Sequence, residues 1–218
     1  DLYTLLHQKG KLSQNIEYEV VKSKKEWTQL IDSEIEFIKC QEEISRLIFP
    51  GTFNPIHEGH LQIKEIAEKM TKQKLFFEIS VSNVDKAPLS YYEIQKTIEQ
   101  FSKEHRWVLT NAPTFQEKIK LFPKSTFVVG TDTLMRIFDQ KYYQDQLSMN
   151  KALECFDEYD ARFIVFGREI EKTFRSLEDL KIPTSMLHRF EGVSENEFRM
   201  DIRSRDIKRS NEESRRPA

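Results

Sequence analysis

The sequence predicts an α/β fold in which a parallel sheet is flanked by helices, and three observations predict it. Short apolar runs of strand length alternate with stretches whose apolar residues recur at helical spacing. Two capping boxes, Ser90-Tyr91-Tyr92-Glu93 and Thr114-Phe115-Gln116-Glu117, open two of the helical stretches. The least ordinary residues follow directly after strand ends, where such sheets place their ligands.

The elements follow in order. Ile16, Tyr18 and Val20 alternate with Glu17 and Glu19, the pattern of a half-exposed strand. Trp27, Leu30, Ile31, Ile35 and Ile38 predict an amphipathic helix over 25–43. RLIFP, ended by Pro50-Gly51, is a short buried strand, and Ile63, Ile66, Ala67 and Met70 mark the buried stripe of a helix over 57–71. LFFEISV (75–81) is the second strand of this alternation, followed by a helix from Ser90 through Phe101. WVLTN (107–111) is the third, followed by a short helix stopped near Pro123. STFVVG (125–130) is the fourth, and TDTLMRIF begins the next helix. A helical stretch covers 143–159, RFIVFGR (162–168) is the fifth strand, and MLHRFEG (186–192) is a short sixth. The tail from Ser204 is polar and basic. Residues 1–43 read as an extension that could join a domain upstream, 44–210 as the main domain, and 211–218 as a polar tail.

The totals narrow the classes. A chain of 218 residues suffices for one domain with a sizeable core. Charged residues at 32% and aromatics at 11%, with sixteen Phe, describe a globular composition. The net charge of −2 supplies no global field toward nucleic acid or anionic lipid, so neither is an expected partner. No apolar run approaches the ~20 residues that span a membrane. Two cysteines, Cys40 and Cys155, form no disulfide framework and suit a reducing compartment; with no secretory pattern at the first residues, the expected location is cytoplasmic. A homo-oligomer or a fused upstream domain is compatible with these totals.

The stretch after the first buried strand, GTFNPIHEGH, carries the chemistry. Gly51 lets the backbone approach a ligand without a Cβ in the way. Pro55 fixes the turn before the helix. His57 and His60 then fall three apart in the first helical turn, roughly on one face, where backbone N–H groups are unpaired and the dipole favours anions. Two imidazoles there can donate to phosphate oxygens, and Gly59 between them admits a bulky group. Two histidines at this spacing can also bind zinc, but a zinc site needs further ligands. A cap or surface role is the plainer alternative. The Gly-Lys-Ser/Thr of a Walker loop is absent.

GTFNPIHEGH resembles the signature of the nucleotidylyltransferase superfamily of HxGH type. In form it is closest to the nicotinate and nicotinamide mononucleotide adenylyltransferases, G-x-F-x-P-x-H-x-G-H, and related cytidylyltransferase-like proteins. SNVDKAP falls where that family carries a phosphate-contacting lysine, here Lys86. FVVGTDTL resembles its G-x-D segment, with Gly130 and Asp132. FRMDIRSRDIK resembles its C-terminal I-S-S-T-x-I-R motif. The run EISVSNVDKAPLS also resembles a less characterised branch from plants, fungi and bacteria, some of whose members carry a competence-damage-type domain upstream.

The resemblance implies a Rossmann-like fold and transfer of a nucleotidyl group, adenylyl foremost, from a nucleoside triphosphate to a small phosphorylated acceptor. It makes His57, His60 and Lys86 the catalytic candidates. Gly51, Thr52, Phe53, Gly59, Gly130, Asp132, Ser204 and Lys208 become the nucleotide-binding ones. Mg²⁺ would come with ATP, without a protein-only metal site. Other readings are a different acceptor, such as phosphopantetheine or a polyol phosphate, a nucleotide sensor without turnover, and a scaffold domain. The C-terminal motif departs from the pattern: Arg203, Arg205 and Lys208 replace two hydroxyls and an arginine around Ile202, Ser204 and Ile207. LSYYEIQK lacks the family's arginine after the lysine segment. Arg168, after the fifth strand, is placed either to reach a phosphate or to pair with an acid.

Overall fold

The middle residues of the predicted parallel strands are mostly apolar, and a strand of that kind must be covered on both faces. The computed structural model, which describes residues 20–41, 43–84 and 87–199, shows how the covering is achieved. The chain runs α1 (Lys25–Ile31), β1 (Phe37–Lys39), β2 (Leu47–Pro50), α2 (Glu58–Thr71), β3 (Leu75–Ser80), α3 (Tyr91–Glu99), β4 (Arg106–Thr110) and α4 (Phe115–Leu121). It continues through β5 (Thr126–Gly130), α5 (Thr131–Ile137), α6 (Gln146–Glu158), β6 (Arg162–Phe166), β7 (Arg168–Ile170), β8 (Thr173–Arg175) and β9 (Phe190–Val193). A seven-stranded sheet has the order β1-β4-β3-β2-β5-β6-β9, parallel throughout except for the antiparallel edge strand β1. The fold is α/β and Rossmann-like, as predicted. Strands β7 and β8 form a separate antiparallel ribbon.

The two-residue alternation of each strand divides the core into two layers. Leu47, Phe49, Phe77, Ile79, Val128 and Phe166 face a layer completed by Trp27, Leu30, Ile63, Ala67 and Ile94 from α1–α3. Ile48, Phe76, Phe127, Val129, Phe163 and Val165 face a layer completed by Ile119, Leu134, Met149, Leu153 and Phe156 from α4–α6. Each fully buried Phe, Leu or Ile contributes about 1.5–3 kcal/mol relative to exposure. Both predicted capping boxes are present: Glu93 N donates to Ser90 Oγ at 3.2 Å, and Glu117 N to Thr114 Oγ1 at 3.3 Å.

Three expectations are corrected. The helix expected over 25–43 stops at Ile31: Ser33 takes a left-handed φ of 60°, and Phe37–Lys39 pairs antiparallel with β4 (Ile38 opposite Leu109). Ile35 and Ile38 hold helical spacing from Leu30 and Ile31, yet both meet the same core layer from outside the helix, Ile35 from a bend and Ile38 from the strand. The open backbone edge of β4 decides the outcome. The last strand begins at Phe190, because 184–189 is a 3₁₀ turn. The fifth strand ends at Phe166, and Arg168 belongs to the ribbon. Most of the strand expected at Ile16–Val20, and all of the basic tail from Ser204, lie outside the described residues.

Strands β3 and β4 lie on one side of β2 and β5, β6 and β9 on the other, so loops leave the carboxyl ends of β2 and β5 in opposite directions. A crevice opens there.

Candidate active site

The turn 51–57 and the start of α2 enter this crevice from β2, and Gly130 with the start of α5 enters from β5. The turn is anchored from beneath. Phe53 has a left-handed φ of 43°, unusual for a bulky residue, and its ring is buried against Phe49, Phe77, Phe101 and His60 at centroid distances of 5.0–6.0 Å. A Cβ on Gly51 would stand 2.6 Å from that ring, so only glycine fits there. Gln100, just past α3, holds the turn from the side: its Nε2 donates to Phe53 O at 3.0 Å, and its Oε1 accepts from Ile56 N at 2.8 Å.

His57 is the N-cap of α2 and His60 the third residue of its first turn. Their rings stack at 3.8 Å between centroids, inclined by 28°. His57 N donates to His60 Nδ1 at 3.2 Å. A ring nitrogen that accepts is unprotonated, so neutral His60 carries its hydrogen on Nε2 and is a donor there. Burial, the neighbouring His57 and the Arg168 guanidinium hold the His60 pKa at about 3. Burial and Arg168 also lower that of His57, whose Nδ1 is buried and makes no hydrogen bond. The pair is therefore uncharged near neutral pH, with donors directed by backbone and ring packing.

Arg168 joins the two halves of the site. Its charge depresses both histidines, and its Nε, buried and without a hydrogen bond, lies 3.7 Å from Asp132 Oδ1. A Cβ on Gly130 would stand 2.5 Å from Asp132 Oδ1 and 3.0 Å from Arg168 Nε, so a larger residue there would push these two side chains aside. Of the two placements open to Arg168, the structure shows the pairing with an acid. Asp132 is not the helix cap: Gly130 holds that position, and Asp132 sits in the first turn.

Beside the crevice, on the α4–α6 face, lies a cavity of about 520 Å³. Gly51 and Thr52 form part of its wall, with Glu78, Ser80 and Lys118 deeper along β3 and α4. Lys118 Nζ donates to Glu78 Oε1 at 2.8 Å and to Ala112 O at 2.6 Å.

Residues 48–210 match the family described as cytidylyltransferase-like. The chain belongs to that family. It is also 30% identical over 139 residues to a Schizosaccharomyces pombe protein named "Putative nicotinamide mononucleotide adenylyltransferase", a stretch covering 58% of this chain and 54% of the relative. The chain thus matches about half the length of that relative. Both similarities support nucleotidyl transfer as the general chemistry of this cytidylyltransferase-like domain.

Of the residues singled out in the sequence, the structure gathers Gly51, Thr52, Phe53, His57, Gly59 and His60 on one turn and helix start. Arg168 links His57 and His60 to Asp132 beside Gly130. The Phe53 ring points into the core, leaving only its backbone at the turn. Lys86, Ser204 and Lys208 lie outside the described residues, as do Arg203 and Arg205.

Sequence reasoning missed Gln100, Glu78 and Lys118. Two signals were present: a carboxylate inside the apolar strand LFFEIS, and a lysine in line with Phe115, Ile119 and Phe122 on the inward stripe of α4. No helix among the described residues is long and apolar enough to cross a membrane.

Proposed function

We propose that this chain transfers an adenylyl group from ATP to a phosphate-bearing acceptor such as nicotinate or nicotinamide mononucleotide, releasing pyrophosphate. The observation that carries the reading is the stacked, uncharged His57–His60 pair at the N-terminus of α2, within electrostatic reach of Arg168 and next to a cavity large enough for a mononucleotide base. An acceptor phosphate oxygen attacks the α-phosphorus, the bond from that phosphorus to the bridging oxygen breaks, and the electron pair leaves on pyrophosphate. The α2 backbone N–H groups, His57 and His60 donate to the oxygens that gain charge, and Arg168 offsets charge on the triphosphate. Asp132 and Gly130 would border the adenosine, while Lys86, Ser204 and Lys208 would meet phosphates on the strength of their places in the sequence. A magnesium ion would arrive on the triphosphate and neutralise phosphate charge there.

The test is pyrophosphate release with a matrix of triphosphates and phosphorylated acceptors. Release that requires ATP and one acceptor together is the expected result. ATP binding without release from any combination would favour a sensor, a reading supported by the hydroxyls lost at Arg203 and Arg205.

A further inference from the structure

Phe76, Glu78 and Ser80 share one face of β3, the face turned toward α4–α6. Phe76 fills the core, and the next two residues of that face line the cavity. Glu78 is fully buried. Its Oε1 is saturated, accepting from Thr110 Oγ1 and from Lys118 Nζ, which compensates its charge. Its Oε2 has no hydrogen-bond partner, and neither does Ser80 Oγ, although both atoms are buried. A carboxylate oxygen left without a donor is costly, and it has only lone pairs to offer. Neither atom exposes surface to water here, so a group that enters from the cavity and presses against this wall must supply the missing hydrogen bonds. Phe115, Tyr142 and Tyr143 line the same cavity and suit a planar ring.

We propose that Glu78 selects the acceptor's head group, with Ser80 bonding it alongside: the cavity takes a planar ring bearing an uncharged hydrogen-bond donor, a primary carboxamide, in preference to the corresponding carboxylate. This rests on the proposed transfer reaction, which makes the cavity the acceptor's place. An amide nitrogen has hydrogens to give to Glu78 Oε2, and Ser80 Oγ can bond either end of the amide. A ligand carboxylate in the same position would bring lone pairs and like charge against Oε2.

Nicotinamide mononucleotide and nicotinate mononucleotide differ only in this group, and calorimetric titration of each, beside pyrophosphate release with ATP, tests the inference. The amide is expected to bind about tenfold or more tightly than the acid, the worth of one hydrogen bond to a charged group. Ser80→Ala should weaken both ligands without removing the preference, and Glu78→Gln, which presents an N–H₂ of its own, should bring the ratio to one or invert it. Because Glu78→Gln leaves Lys118 without its counter-charge, the pair Glu78→Gln and Lys118→Met is measured alongside, with the same inversion expected. Equal binding, tighter binding of the acid, binding of neither, or a ratio untouched by the Glu78 variants overturns the inference, whether or not pyrophosphate is released. An amide preference that the Glu78 variants abolish, without pyrophosphate release from any acceptor, supports it and overturns the transfer reaction alone.

Discussion

Arg168 Nε lies 3.7 Å from Asp132 Oδ1, and the charge of that same arginine reaches both His57 and His60. One residue of the β7–β8 ribbon thus adds its charge, behind the larger effect of burial, to groups from two distant parts of the sequence. Arg168→Met is expected to raise the pKa of both histidines, since its charge is among the causes that lower them, and to weaken ATP binding. NMR titration of the imidazole resonances, with calorimetry for ATP, reads both. Histidine titrations that stay where they were would remove Arg168 from the site.

His57→Ala and His60→Asn should each lower turnover by about 10²–10³, as for loss of one key donor to a developing charge. His57 is part-exposed, so its variant should melt near the wild type. His60 is 8% exposed and packs edge-on against Phe49 and Phe53, so a loss of stability is expected there as well. A melt beside the kinetics separates the two effects, and near-wild-type turnover in His57→Ala would end its catalytic role.

Acid should destabilise the fold through His60. Its folded pKa of about 3 lies below the ordinary 6.5, so between these values the unfolded chain binds the proton that the folded chain refuses. Stability from the neutral ring is complete above 6.5 and is lost as pH falls toward 3. Urea denaturation at pH 7.0 and at pH 5.5, just below the onset of this window and above most carboxylate titration, should show a smaller drop for His60→Asn than for wild type. Equal drops would contradict the burial argument.

Lys118→Met should cost about 3–5 kcal/mol, because it leaves the buried Glu78 carboxylate without its cation. Combining it with Glu78→Leu should recover most of the loss, since an apolar pair replaces a buried ion pair at little cost or with a gain. Chemical denaturation of the two variants measures this, and a double variant no more stable than the single would show that the pair is needed for more than charge balance.

The parallel strands and their helices were legible because a strand buried on both faces is written as a mostly apolar run, and each helix between them repeats its apolar stripe. The segment 32–39 was not legible. Ile35 and Ile38 fit the helix period, and only the free edge of β4, which pairs with Phe37–Lys39, draws the chain out of it. The turn with His57 and His60 was legible because its residue types have few structural uses together. The Glu78–Lys118 pair was half visible: each residue breaks an apolar pattern, but nothing in one dimension says that the two exceptions meet across 40 positions. Gln100 gave no signal at all, since a glutamine past a helix end is ordinary until its amide is seen gripping Phe53 O and Ile56 N.

The buried ring of Phe53 changes what counts as distance from the chemistry. The turn that presents His57 is pinned by an aromatic plug shared with Phe49, Phe77 and Phe101, residues that would never contact a substrate. Trimming Phe101 is therefore expected to act on the proposed transfer as a loosened hinge pin acts on a door: the donors remain present but wander from their aim. A screen for temperature-sensitive activity in this chain would collect its alleles from the floor of the turn as readily as from the turn itself.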